Sequence, residues 1–228
     1  MTTIDAISPG GRDKQPLYAR YKHAPHYRSA VEEFDAVKIG MWLFLATEVL
    51  LFAGLFCAYA IFRMRYPEAF QHGSHYLDWR WGGLNTVVLL YSSYTIAMSI
   101  RCAQLNQQAK LQLNLLITWL CAAAFLVIKF TFEYGPKWSE GKRPGVLFDY
   151  PFASHPMEPM WWSIYYSATG IHATHVAIGM ALIAWLFIRA RKHAFGPTHY
   201  TAVETVGLYW HIVDMIWIFL FPLLYLIH

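Results

Sequence analysis

Charge is scarce in this chain: of its 228 residues only 14% are Asp, Glu, Lys or Arg, against about 25% in an ordinary soluble domain. That shortage excludes a disordered polar chain and leaves too few solvated side chains to cover a water-facing enzyme. Cysteine is sparse as well. Cys57, Cys102 and Cys121 form no C-x-x-C pair, so neither a disulfide framework nor a thiolate zinc site is expected, and each reads as a small core residue. The first 36 residues are polar and contain Asp5, Asp13, Glu32 and Glu33, with no short apolar core before a small-residue cleavage site; no removable signal or transit peptide is expected. No internal repeat marks an inverted-repeat transporter. The net charge of +4 is scattered between apolar runs instead of gathered on one face, which argues against nucleic acid as a partner.

What the chain has is apolar length. Hydrophobic residues make up 57% and aromatics 18%, in runs long enough, at 1.5 Å per residue, to cross a hydrocarbon layer of about 30 Å. They predict an all-α integral membrane bundle of five helices, at about 37–62, 83–103, 111–133, 160–188 and 203–227. The resulting organisation is a polar tail over 1–36 and a transmembrane domain over 37–228. Lys and Arg number eleven on the side of the N-terminal tail and six on the other, which puts the N-terminus in the cytoplasm and the C-terminus outside. Trp79, Trp81, Trp138, Trp161 and Trp162, near predicted span ends, read as interfacial anchors.

Small residues draw stripes that let helix backbones approach closely. The fourth span carries Ser163, Ser167, Gly170, Thr174, Ala177, Ala181 and Ala184, the first Ala46, Ala53 and Ala60, and the second Asn85, Ser92 and Ser99. At about 100° per residue, Glu48 falls on the side of the first span opposite its alanines, among Phe44, Phe52, Leu55 and Tyr59. His172 and His175 turn away from the small stripe of the fourth span, and His211 and Asp214 share a face of the fifth.

A carboxylate at that depth costs roughly 2.5–3.5 kcal/mol on insertion scales, so each must be protonated, paired or wetted. Asp214 and His211 are expected to hydrogen-bond a neighbouring helix. Glu48, which has no evident partner, is expected to face a groove, another subunit or a proton path. Lys129 and Glu133, four apart, read as an intrahelical pair with the lysine reaching towards water. A three-histidine metal or haem site from His172, His175 and His211 lacks a clear closed ligand set, so no metal is assigned.

Three stretches together resemble subunit III of the haem-copper oxidases: Gly40 to Glu48 with Phe52 to Phe56, Tyr166 to Gly179 around His172 and His175, and Leu208 to Phe219 around His211 and Asp214. Gly83, Asn85 and Thr86, and Phe132, Glu133 and Tyr134, fit the same family. The resemblance covers about 37–227 and implies the short five-helix bacterial form, a multi-pass protein of the bacterial inner membrane. It implies an accessory, non-redox subunit of a proton-pumping cytochrome c oxidase, with no catalytic residue or cofactor in this chain. Haem and copper would sit in partner subunits I and II, with cytochrome c as donor and phospholipid bound. It implies that Glu48 is the lipid-cleft or proton-linked carboxylate, that His172, His175, His211 and Asp214 are buried polar positions, and that Glu133 closes its helix. Subunit III of a quinol oxidase, or a nitric-oxide-reductase-associated paralogue, shares the pattern. A free-standing haem cytochrome and a transporter gated by Glu48 are the readings from other classes. The 135–159 loop is expected outside, as a place for a partner to dock.

Overall fold

A computed structural model of the chain describes residues 16–153 and 155–227; residues 1–15 of the expected tail lie outside them. Among the described residues, five helices are long and apolar enough to cross a membrane. The first, α1 (Ala30–Arg65), starts seven residues before the apolar run. A local cap explains this: Ser29 Oγ accepts from the Glu32 amide at 3.1 Å, and Glu32 Oε2 accepts from the Arg28 amide at 2.7 Å. Two orphan donors are satisfied, so polar residues extend the helix. The connector after α1 holds α2 (Pro67–His75), which hydropathy alone misses because it is short and polar. Asp78 caps α3 (Trp79–Gln104) by accepting from the Arg80 amide. Asn106, at φ +56°, turns the chain out of α3, a conformation that asparagine tolerates at helix ends.

The third span is not one regular helix. It runs as α4 (Gln108–Ile128), passes through a π-helical turn (Lys129–Tyr134) and continues into α5 (Gly135–Ser139). The fourth is α6 (Glu158–Arg191) and the fifth α7 (Thr201–Tyr225). α3 packs on α4 and α7, and α6 also packs on α4 and α7, closing a four-helix body. α1 lies on the α6–α7 edge through Leu45, Phe52 and Tyr59, joined by a bond from the Tyr59 hydroxyl to Leu223 O at 2.5 Å and an ion pair of Lys38 with Glu204 at 2.6 Å.

Trp79 and Trp138 are exposed as interfacial anchors should be, but Trp161 and Trp162 are fully buried. Trp161 packs edge-on against Phe70 of α2, the helix whose existence turns a predicted membrane interface into core. Cys57 also departs from expectation and lies on the outward face of α1. At the start of the described chain, Tyr18 donates its amide to His193 O and Tyr21 stacks on His199 at 3.6 Å, so residues 16–29 form a strap across the α6–α7 connection. Burial, and then Arg189, hold His199 below the ordinary histidine range, with Glu33 acting the other way.

Candidate functional site

Glu48 has a partner that its own helix does not reveal. Its Oε2 lies 2.8 Å from Nε2 of His175, each side chain about one-seventh exposed. His175 Nδ1 sits 2.8 Å from Ile171 O, which can only accept, so Nδ1 carries a hydrogen. The 2.8 Å contact places a proton between Nε2 and the carboxyl group, carried by one or the other. Phe52 meets the imidazole edge-on, and Tyr209 donates to His175 O at 3.1 Å.

A second polar cluster lies where the π-turn faces α6 and α7. Lys129 Nζ contacts Glu133 Oε2 at 2.6 Å, the Tyr165 hydroxyl at 3.1 Å and the Tyr225 hydroxyl at 2.6 Å, so each ammonium hydrogen has an acceptor. Both phenols donate back to Glu133 Oε2. The expected intrahelical pair is therefore present, but the lysine does not reach water: it is 1% exposed. Rings of Tyr134, Tyr165, Trp217 and Tyr225 surround its charge, a cage favourable to a cation. Tyr165 and Tyr225 were not legible as members of this group, since nothing in their own spacing distinguishes them from other core aromatics.

The remaining polar positions have separate surroundings. His172 is buried, stacked on Trp217 with Phe125 edge-on, and neither ring nitrogen has a hydrogen-bond partner among the described residues. His211 Nδ1 lies 2.7 Å from Ser93 Oγ, and Asp214 Oδ2 lies 3.5 Å from Ser92 Oγ, so both look towards α3. Trp210 and Trp217 donate to Ser92 and Thr86 of α3, and Thr95 bonds Thr118 of α4 at 2.7 Å. The stripe of α3, with Asn85, Ser92 and Ser99, is thus packed inside the four-helix body. The other two stripes look outward: Ala46 and Ala60 on α1, and Ser167, Thr174 and Ala177 on α6, are exposed, with Ala53, Ser163 and Gly170 half-buried. The three membrane histidines turn to three different partners, and among the described residues no group of three or more His, Cys, Asp or Glu could hold a metal ion.

A family model described as cytochrome c oxidase subunit III matches residues 144–228. Cytochrome c oxidase subunit 3 of Synechocystis is 31% identical over 195 residues, covering 85% of this chain and 76% of the relative. A heme-copper oxidase subunit I+III of Aeropyrum pernix is 29% identical over 199 residues, covering 85% of this chain and 23% of the relative. A probable quinol oxidase subunit 3 of Staphylococcus aureus is 26% identical over 207 residues, covering 87% and 92%. With five membrane-crossing helices and a relative this similar over most of both lengths, the chain belongs to the subunit III family of the haem-copper oxidases.

Proposed function

We propose that this chain is an accessory, non-redox subunit of a proton-pumping cytochrome c oxidase of the bacterial inner membrane, held against catalytic subunit I beside a copper-bearing subunit II. It steadies the catalytic subunit, keeps phospholipid in a cleft near Glu48 and supports proton uptake. The observation that carries the reading is the Glu48–His175 pair: two mostly buried, hydrogen-bonded side chains halfway along α1, on the helix least embedded in the bundle. Such a pair tolerates apolar surroundings while keeping one exchangeable proton. The fused Aeropyrum relative supports association with subunit I.

The quinol oxidase relative favours a second reading, in which the same subunit serves a complex fed by quinol. Affinity purification of the intact complex, haem spectra, and oxygen consumption with reduced cytochrome c or a quinol separate the two. A complex with haem and copper that oxidises cytochrome c supports the first reading, and one that accepts only quinol replaces it with the second. Recovery of the chain alone with its own haem would overturn both.

A further inference from the structure

We propose that the groove between α3 and α4, at the end where the two helices join, holds an acidic phospholipid, with its phosphate on Arg101 and Lys110 and an acyl chain lying along the groove. α3 and α4 form the edge of the four-helix body opposite the α6–α7 edge that α1 covers. The site is therefore separate from the cleft proposed near Glu48 and stands or falls by itself.

The charge balance points to an anion. Between Asp78 and Glu133 the sequence contains no Asp or Glu, so α3 and α4 cannot neutralise their own cations at this end. Arg101 stands three residues before the last residue of α3, and Lys110 two after the first of α4. Both lie on the rim of a groove of ≈ 510 Å³. Both are exposed, and neither has an ion pair, hydrogen bond or ring contact among the described residues. Three other cations near span ends are met within the chain: Lys38 by Glu204, Arg63 by the Tyr59 hydroxyl and Arg189 by the ring of Trp185. Two uncompensated cations at a membrane surface attract an anionic headgroup, each worth about five-fold in binding. A zwitterionic headgroup gains less, because no carboxylate lines the groove to meet its ammonium.

The layering of the groove matches that of a lipid. Asn114 is one helical turn past Lys110, about 6 Å deeper, the level at which glycerol esters follow a phosphate. Its Nδ2 donates one hydrogen to Cys102 Sγ at 3.6 Å. A side-chain amide carries two, so one remains for an ester carbonyl. Met98 and the ring of Tyr94 continue the α3 wall, with Leu113 on the α4 wall; Tyr94 lies seven residues, about 10 Å, past Arg101. Cations, amide and apolar walls thus succeed one another in the order phosphate, ester, hydrocarbon. A small soluble anion would use only the first of them.

The test uses the intact complex that this chain forms, reconstituted in phosphatidylcholine vesicles. These carry a small fraction of either phosphatidylglycerol or phosphatidylcholine with a diazirine in one acyl chain. After irradiation, labelled residues are mapped by mass spectrometry. Labelling at Tyr94, Met98 and Leu113 should be at least about ten-fold higher with the phosphatidylglycerol probe. At Leu116 and Ile188, in the groove between α4 and α6 whose lining is wholly apolar, the two probes should label equally. Arg101→Gln and Lys110→Gln should each lose about five-fold of the preference, and the double variant should bring it near unity. Absence of a preference in the wild type, or a preference that survives the double substitution, overturns the proposal. So does a groove that stays unlabelled while the α4–α6 groove is labelled, the result expected if protein covers it.

Discussion

Glu48 Oε2 and His175 Nε2 lie 2.8 Å apart and tie α1 to α6 halfway along α1. His175 Nδ1 is committed to Ile171 O, which leaves Nε2 to face the carboxyl group, and a carboxyl group with such a partner avoids part of the cost of a lone carboxylate at that depth.

Glu48→Gln keeps a donor within reach of Nε2, so assembly and haem spectra of the complex should match wild type. Retained phospholipid or inactivation during turnover should shift slightly, read by lipid analysis of the purified complex and by activity over successive turnovers. Loss of the haem bands in this variant would contradict the proposed role.

Lys129→Met should destabilise the subunit by about 3–5 kcal/mol, because it leaves the Glu133 carboxylate buried without a cation. Adding Glu133→Gln should recover part of the loss, since the amide removes the stranded charge. Thermal unfolding of the purified complex, followed by near-ultraviolet circular dichroism, gives the comparison; a double variant worse than the single would show that the ion pair itself is not the issue.

Gly179→Ala should cost about 1–3 kcal/mol as an overpacked site. A Cβ there would meet the ring of Trp210 at 2.6 Å, and that ring is buried and fixed by its bond to Ser92. Gly170→Ala meets nothing within 4 Å and should stay within about 0.5 kcal/mol of wild type. Resistance to limited proteolysis in detergent ranks the two.

Acidification should release the N-terminal strap. His199 lies below the ordinary histidine range in the folded chain because of burial first and Arg189 second. The unfolded chain therefore binds the proton more readily. The contribution is fully present above the unfolded value of about 6.5 and is lost as pH falls below it. Protection factors of the Tyr18 and Tyr21 amides, with the pH dependence of intrinsic exchange divided out, should fall over that window in wild type and stay constant in His199→Phe, where the stack persists without a titrating group.

Apolar run length made the five spans legible, since the bilayer imposes it directly. Polar extensions were not: the Ser29–Glu32 cap lengthens α1, and α2 is amphipathic and short. Periodicity rightly turned Glu48 away from the alanines, but a single helix face carries no information about which neighbour comes to meet it. His175 lies 127 residues further on. The outcome for Lys129 shows the same limit, because helical spacing fixes its pairing with Glu133 while only tertiary packing decides whether the pair is wet or enclosed by Tyr165 and Tyr225.

α1 meets the body of the protein along Leu45, Phe52 and Tyr59, spaced seven apart in a narrow seam. It is an outrigger, braced at its far end by Tyr59 on Leu223 and at its near end by Lys38 on Glu204. Tilting it outward would break the Glu48–His175 contact between those braces. A hydrogen bond set midway on such a strut holds only while the helix keeps its angle.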